Sequence, residues 1–366
     1  MTSILDNKRI LVTGACGTVG SELVRQLLHG KYNPGEVVGI DNNESELFNL
    51  DQLYLDDSRT QFFFADIRDK REIGRLMQGI DIVFHAAALK HVIVCERSPS
   101  QAVSTNVNGV ENIIDAAIDN KVGTVVFTSS DKAVNPTNVM GTSKLMGERL
   151  MTASNSHKRD EGPVFVSTRF GNILGSRGSV VPVFHNQIAK GGPVTITDNE
   201  MTRFVMNCRQ AVKLVIDSAN FARGGEVFIT KMPVLKIELL AKVMIKELAG
   251  KYGYDPADIK ISIIGTKPGE KLYEELMSDE ETRRAVELDD YFSVLPAFRG
   301  IYNDIYYSYE SLVSEEVHDP YISSSVPFMT EQEISDFLHE SDLLDTPAES
   351  GTKRYWPGDK ESGVKL

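Results

Sequence analysis

Two adjacent side chains of opposite charge, Asp131 and Lys132, follow the β-branched run Thr124 to Thr128 and are preceded by the hydroxyl of Ser130. A carboxyl beside an amine can act as a general acid and a general base only where the two hold different protonation states at one pH. A lysine serves as base only where burial or a neighbouring cation lowers its pKa, and Lys144 is placed to supply part of that field. Taken singly, an adjacent Asp and Lys on a loop is a solvated charge pair, and Met140 is a core residue of a helix. Met140 and Lys144 are four residues apart, which puts them on one helix face a turn apart.

A second group points to a dinucleotide. Thr13-Gly14-Ala-Cys-Gly17-Thr18-Val19-Gly20 follows the apolar run Arg9 to Thr13 and opens a helix that starts near Ser21. Glycines there let the chain turn tightly and bring backbone N–H groups against a pyrophosphate at the helix N-terminus. Asp41 ends the second strand-like run about twenty residues further on, where a carboxylate accepts both hydroxyls of an adenosine ribose. Asn42 and Asn43 follow with no Arg or Lys beside them, so a 2′-phosphate meets repulsion and the cofactor reads as NAD rather than NADP.

The elements that must position these groups alternate along the chain. Runs rich in β-branched and aromatic residues occur at Arg9 to Thr13, Glu36 to Ile40, Gln61 to Ala65, Asp81 to His85, Thr124 to Thr128 and Val164 to Thr168. Ser21 to Leu28, Arg68 to Met77 and Val103 to Ile118 carry apolar residues at helical spacing between them. The alternation predicts an α/β fold, a Rossmann-like doubly wound parallel sheet with right-handed crossovers. In such sheets chemistry lies outside the carboxyl ends of the strands, which is where Ser130, Asp131 and Lys132 fall.

The expected organisation is a dinucleotide-binding domain over 1–170, rejoined by 205–232, and a smaller substrate-binding lobe from 171–204 and 233–329. In that lobe Leu235 to Leu248 reads as a helix, Ile259 to Ile264 as a strand, and another helix is expected from near Glu270. Thr330-Glu-Gln-Glu333 reads as a capping box opening a short helix to about His339, with a mobile tail beyond Leu344 inside the segment 330–366.

A chain of 366 residues with 41% hydrophobic residues can bury a substantial core. Its net charge of −13 argues against a nucleic-acid partner. No stretch approaches the ~20 apolar residues that cross a bilayer, and the N-terminus lacks a signal-peptide apolar region, so a cytoplasmic protein with no membrane partner is expected. Cys16, Cys95 and Cys208 have no zinc-type spacing, and neither a metal site nor a disulfide framework is indicated.

The spacing of Gly14, Gly17 and Gly20 resembles the extended short-chain dehydrogenases/reductases. The run Ser130-Asp-Lys-Ala-Val-Asn-Pro-Thr-Asn-Val-Met140-Gly-Thr-Ser-Lys144 is similar to the signature of polysaccharide-biosynthesis UDP-N-acetylglucosamine 4,6-dehydratases, in particular the subgroup with Met in place of the catalytic Tyr. Further matches are Ala86-Ala-Ala-Leu-Lys90-His91-Val92, Arg169-Phe-Gly-Asn172, Met201-Thr-Arg203-Phe and Lys267-Pro-Gly-Glu270-Lys271-Leu-Tyr-Glu-Glu275. The chain departs from the family in having Ser130 where many members have Thr, and in lacking the N-terminal membrane region of most members with this Met.

The resemblance implies oxidation at sugar C4, loss of water across C5 and C6, and return of the hydride to C6. It makes Asp131 the acid at the C6 hydroxyl, Lys132 the base at C5, and Lys144 the residue on the nicotinamide ribose. It places Asp66 and Ile67 at the adenine, Ala86, Ala87 and Ala88 on the phosphate-ribose side, and Asn106 on the helix that positions the site. Asn172 and Arg203 are expected at the substrate diphosphate, Lys90 and His91 at the hexose, Glu270 at the nucleoside ribose, and Val181 also along the substrate. A homo-oligomer, at least a dimer through Val103 to Ile118 and Asn138 to Ala153, is implied as well.

Competing readings remain open at this point: a GDP rather than UDP nucleotide, a C5-inverting dehydratase, a sugar-nucleotide 4-epimerase or reductase, and a non-catalytic NAD-binding regulator. The Asp131-Lys132 pair favours the dehydratase over the epimerase. Retention of Ser130, Asp131, Lys132 and Lys144 argues against the regulator.

Overall fold

The computed structural model describes residues 3–157, 162–176, 178–265, 269–298 and 305–345. Six strands, β1 (Arg9–Thr13), β2 (Glu36–Asp41), β3 (Thr60–Phe64), β4 (Ile82–His85), β5 (Thr124–Thr128) and β6 (Val164–Arg169), fall within a residue of the apolar runs read from the sequence. With Val227–Thr230 they form seven parallel strands in the order Val227–Thr230, β6, β5, β4, β1, β2, β3. β4 and β5 are buried along their whole length, as parallel strands covered on both faces must be. The strand order reverses between β1 and β4, the switch point at which such sheets bind ligands.

Helix α1 (Thr18–His29) begins three residues earlier than expected, directly on the glycine loop, and buries Leu23, Val24, Leu27 and Leu28 at helical spacing. The helix Val139–His157 lies against β5 and β6. Its Gly141 is required by close approach, since a Cβ there would stand 2.1 Å from the carbonyl oxygen of Lys132. Glycine thereby lets the start of that helix press on the loop carrying Ser130 to Lys132.

Arg169, at the end of β6 and 1% exposed, ties three segments together. Its guanidinium donates to both carboxylate oxygens of Glu148 on that helix, at 2.8 and 2.6 Å, and to both of Glu281, at 2.9 Å each. A fifth bond reaches the Leu276 carbonyl at 3.1 Å.

A separate apolar cluster holds the smaller lobe, in which the helices Val180–Ile188, Ile237–Leu248 and Glu331–Glu340 pack around Phe184, Leu240, Met244 and Leu338. Glu331–Glu340 opens on the expected capping box, with Thr330 and Glu333 bonding reciprocally.

Three expectations about the second half need correction. Among the described residues no helix begins near Glu270: Glu275–Met277 is a strand, and the helix that follows is the four-residue Asp279–Thr282. The chain from 233 to 329 does not stay in the lobe, because Tyr291–Val294, Ala285–Leu288 and Leu312–Ser314 extend the large sheet antiparallel beyond Val227–Thr230. Residues 205 and 206 belong to Thr202–Met206, a strand of a separate three-stranded sheet, so the return to the large domain starts with the helix Cys208–Phe221. The tail expected to be mobile lies from 346 onward outside the described residues. Among the described residues no helix is long and apolar enough to cross a membrane.

Candidate active site

The glycine loop has the shape a pyrophosphate needs. Gly14 has φ +68°, and a Cβ there would lie 2.7 Å from the Ala87 backbone nitrogen, so the loop and the end of β4 come together as only glycine allows. Gly17 caps α1 in an extended conformation and Gly20 is buried in its first turn. Thr18 and Val19 start that helix, Val19 packing on the core. Gly14, Gly17, Asp41, Asn42, Asp66, Ile67 and Ala86 to Ala88 border one cleft of about 460 Å³.

Asp41 is fixed by its own loop, accepting from the Cys16 amide at 3.0 Å and the Asn43 amide at 3.0 Å. Arg68 borders the same cleft and was not foreseen. It donates to both oxygens of Asp66 and to Gln101, and that bidentate pairing holds the Asp66 pKa down to about 2. Its charge is therefore engaged by Asp66. Asn106 is 1% exposed on a π-helical turn. It accepts from the Leu89 amide at 2.8 Å and donates to the Leu89 carbonyl at 3.0 Å and Ser143 Oγ at 2.9 Å, which clamps the segment after Ala88.

At the end of β5, Ser130 to Lys132 form a compact cluster. Ser130 Oγ donates to Asp131, and Lys132 Nζ donates to the two Asp131 oxygens at 3.2 and 3.0 Å. Lys132 also donates to Glu274 at 3.2 Å. Burial by itself would lower the Lys132 pKa, but Asp131 and Glu274 outweigh it and raise it above the ordinary lysine value. This corrects the expectation of a depressed Lys132. Burial disfavours the Asp131 anion, yet Lys132 and the hydrogen bonds from Glu274 and Ser130 bring its pKa below the usual carboxylate range.

Lys144 is the depressed lysine. Burial pushes it down to about 8, with Glu148 opposing. Its Nζ donates to the Thr128 carbonyl at 2.8 Å and sits 4.7 Å from the centre of the Phe127 ring. Met140 is 3% exposed and packs with Cys95 and Ala102, so it brings no titrating group to the site.

A second cavity, of about 230 Å³, is bordered by Asn172, Arg203 and Glu270 together with Val180 and Phe184. The three polar residues expected at the nucleotide thus come together. Arg203 donates to the carbonyls of Thr202, Lys271 and Leu272 and stands 3.8 Å from Glu270 and 3.3 Å from Glu274. Val181 is corrected: it is wholly buried in the lobe core, and its neighbour Val180 faces the cavity. Lys90 and His91 are exposed at the start of the helix Val92–Arg97 and border neither cavity. Of the stretch Lys267 to Glu270, Lys267 and Pro268 lie outside the described residues.

Glu274 is the residue that motif reading passed over. It is 6% exposed and accepts from Asn172 Nδ2 at 2.7 Å, so it connects the Asp131–Lys132 cluster to the second cavity. Its one sequence signal is its place in the Glu274-Glu275 pair that ends the Lys267 to Glu275 run.

A glycine cradle at the switch point of a doubly wound sheet, with the polar cluster Ser130 to Lys132 at the end of β5, fits a dinucleotide-dependent enzyme of the short-chain dehydrogenase/reductase type. The protein family described as "Polysaccharide biosynthesis protein" matches residues 10–296, and the chain belongs to it. Two relatives carry different activities in their names. The "UDP-N-acetylglucosamine 4,6-dehydratase (inverting)" of Campylobacter jejuni subsp. jejuni serotype O:23/36 is 33% identical, covering 93% of this chain and 99% of that protein. The "UDP-glucose 4-epimerase" of Rickettsia canadensis is 36% identical over 91% of this chain and 95% of its own. The structure of Pen from Bacillus thuringiensis matches with a TM-score of 0.83 at 38% identity, covering 92% of this chain and 98% of that one.

Proposed function

We propose that the chain is an NAD-dependent sugar-nucleotide 4,6-dehydratase that converts UDP-N-acetylglucosamine to the UDP-4-keto-6-deoxy sugar with the C5 configuration retained. The observation that carries this reading is the contact of Asp131 with Lys132 in a cluster that Glu274 joins to a cavity bordered by Asn172 and Arg203. An enzyme that only moves hydride at C4 has no use for a paired acid and base at C5 and C6.

NAD is the cofactor. The residues present fit it: Gly14, whose positive φ and close approach to Ala87 only glycine allows, and Gly17 border one cleft with Asp41, which is placed for the ribose hydroxyls. When bound it accepts hydride from sugar C4 and returns it to C6. Around it Asn106 fixes the Ala86 to Leu89 wall, and Lys144 is the residue we assign to the nicotinamide ribose. Asp131 gives a proton to the departing C6 hydroxyl and Lys132 takes the one at C5. Lys132 can do so only once negative charge beside it is reduced, because two carboxylates hold it charged. The O4 proton falls to Ser130 with solvent or a lysine, and Lys144 is the lysine whose deprotonation burial eases.

The C4-epimerase reading has the Rickettsia relative in its favour. Incubation with UDP-N-acetylglucosamine and no added cofactor, followed by mass spectrometry, separates the two. Loss of one water supports the dehydratase; a product of unchanged mass supports the epimerase and removes our reading. The same incubation with the GDP sugar tests the nucleotide. A homo-oligomer through the helices that carry Val103, Ile118 and Met146 remains part of the proposal, and those side chains are exposed.

Two further outcomes are expected. Asp41→Ala narrows the preference for NAD over NADP, since the carboxylate that bonds a 2′-hydroxyl repels a 2′-phosphate; tighter NADP binding by the unaltered protein in a titration would refute this. For stereochemistry, a base that removes and returns the C5 proton from one ring face leaves the configuration unchanged, and buried Met140 offers no donor on the other. Run in heavy water, the reaction should give the D-xylo product carrying one deuterium at C5, read from NMR couplings on fresh material. An L-arabino product at the same initial rate, as the name of the Campylobacter relative would suggest, shows that Met140 is not the determinant.

A further inference from the structure

The carboxyl groups of Asp131 and Glu274 hydrogen-bond to each other and share the Lys132 ammonium, which lies 3.0 Å from one and 3.2 Å from the other. Two buried carboxyls that share one cation ionise together only at a cost, so protonation of one of them is made easier. The two are not equivalent. Asp131 has Lys132 and Ser130 as donors and stays anionic, whereas burial and the Asp131 charge raise Glu274 above the ordinary carboxyl range.

On its other side Glu274 accepts from Asn172 Nδ2 at 2.7 Å and faces Arg203 Nε at 3.3 Å. Both of those residues border the lobe cavity. The charged groups facing Glu274 are therefore Asp131 and Lys132 from the loop after β5 and Arg203 from Thr202–Met206, with Glu270 next to Arg203 at 3.8 Å.

We propose that Glu274 stores the proton that Asp131 delivers, and that a nucleoside diphosphate in the lobe cavity loads it. This rests on the dehydratase reading above. An anionic diphosphate that engages Asn172 and Arg203 draws away the donor and the cation that stabilise Glu274 as an anion, so Glu274 takes up a proton from solvent. As the C6 hydroxyl departs, the O–H bond of Glu274 breaks and its proton passes through the anionic Asp131, where an O–H bond forms and breaks, to the leaving oxygen. Water departs and both carboxyls are anionic beside Lys132, which has gained the C5 proton. Over one turnover the proton released from the sugar O4 hydroxyl balances the one that leaves in water. Loading also neutralises one of the two carboxylates that hold Lys132 charged, so the acid and the base are prepared by the same event. Glu274 acts through Asp131 and is a positioning residue in this scheme.

The test is calorimetry of UDP binding to the full chain loaded with NAD, in buffers of different ionisation enthalpy. The unaltered protein should take up a fraction of one proton near neutral pH relative to Glu274→Gln, a comparison that cancels any proton UDP itself exchanges. The Glu274→Gln variant should still bind UDP and NAD, while kcat for water loss falls at least ~10-fold with little change in KM. If that variant fails to bind NAD and is therefore misfolded, Glu274→Asp, whose shorter side chain draws back from Asp131, carries the same expectation of reduced uptake. UDP binding with equal proton exchange in the unaltered protein and the variant overturns this proposal and leaves the dehydratase reading standing. Absence of UDP binding overturns both.

Discussion

Asp131→Asn and Lys132→Ala each lower the rate of 4-keto-6-deoxy product release by ~10²–10⁴-fold, the usual worth of a positioned acid or base, and leave NAD binding intact. Asparagine keeps the shape of the Asp131 side chain and a hydrogen bond to Ser130, but it has no proton to give to the C6 hydroxyl. Lys132→Ala removes the cation that touches both Asp131 and Glu274. The two carboxyls then face each other without it, and no amine remains to take the C5 proton. Neither residue borders the cleft of Gly14 and Asp41, so cofactor affinity is the internal control. Product release is read by mass spectrometry and reduced cofactor by absorbance in the same reaction. Accumulated reduced cofactor with substrate present fits a block after C4 oxidation, and losses under ~3-fold in either variant remove that residue from the mechanism.

What could be read from the chain before its structure divides by the range of the interactions involved. The parallel strands are buried on both faces, so each appears as a short continuous apolar run, and six of them lie where those runs predict. The glycine loop and Asp41 were equally visible, because their geometry is set by residues close in sequence and by one strand pair. Glu274 was not, since its contact with Lys132 spans 142 residues and is made when Glu275–Met277 packs against the turn Asp131–Ala133. The direction of the Lys132 pKa failed partly for the same reason: Asp131, which raises it most, was in view, but the second carboxylate that adds to it was not. Val181 was misassigned because both Val180 and Val181 are apolar in a short helix, and one residue turns the side chain about 100° from cavity to core. The antiparallel strands after 284 carry mixed patterns such as half-buried Val286 and Glu287, which periodicity does not separate from loop.

Replacing Arg169 with leucine is expected to destabilise the fold by ~3–5 kcal/mol at neutral pH, the loss that follows when one partner of a buried ion network is removed. Arg169 is 1% exposed, and its two carboxylate partners, Glu148 and Glu281, are buried as well. In the unaltered protein burial would push Glu281 up, but the Arg169 charge and hydrogen bonds hold its pKa down to about 2. A depressed carboxyl contributes stability that is present above its unfolded value of about 4.5 and is lost as pH falls toward 2. Without Arg169 the sign reverses: Glu281 keeps only the more distant Arg284, at 3.7 Å, and burial then opposes ionisation of the carboxyls that Arg169 held, so folding is opposed increasingly as pH rises. The gap between the two proteins should therefore be small near pH 2, open between pH 2 and ~4.5 as the Arg169-held carboxyl ionises, and widen further above it. Denaturant titrations at several pH values measure it directly, and a gap that is constant with pH would mean that leucine disturbs packing rather than charge. Because Arg169 joins β6, the helix bearing Lys144 and the segment that follows Glu274, partial unfolding in this variant should also separate Glu274 from Lys132. Loss of catalytic rate ahead of loss of NAD binding, as denaturant is raised, is the expected order.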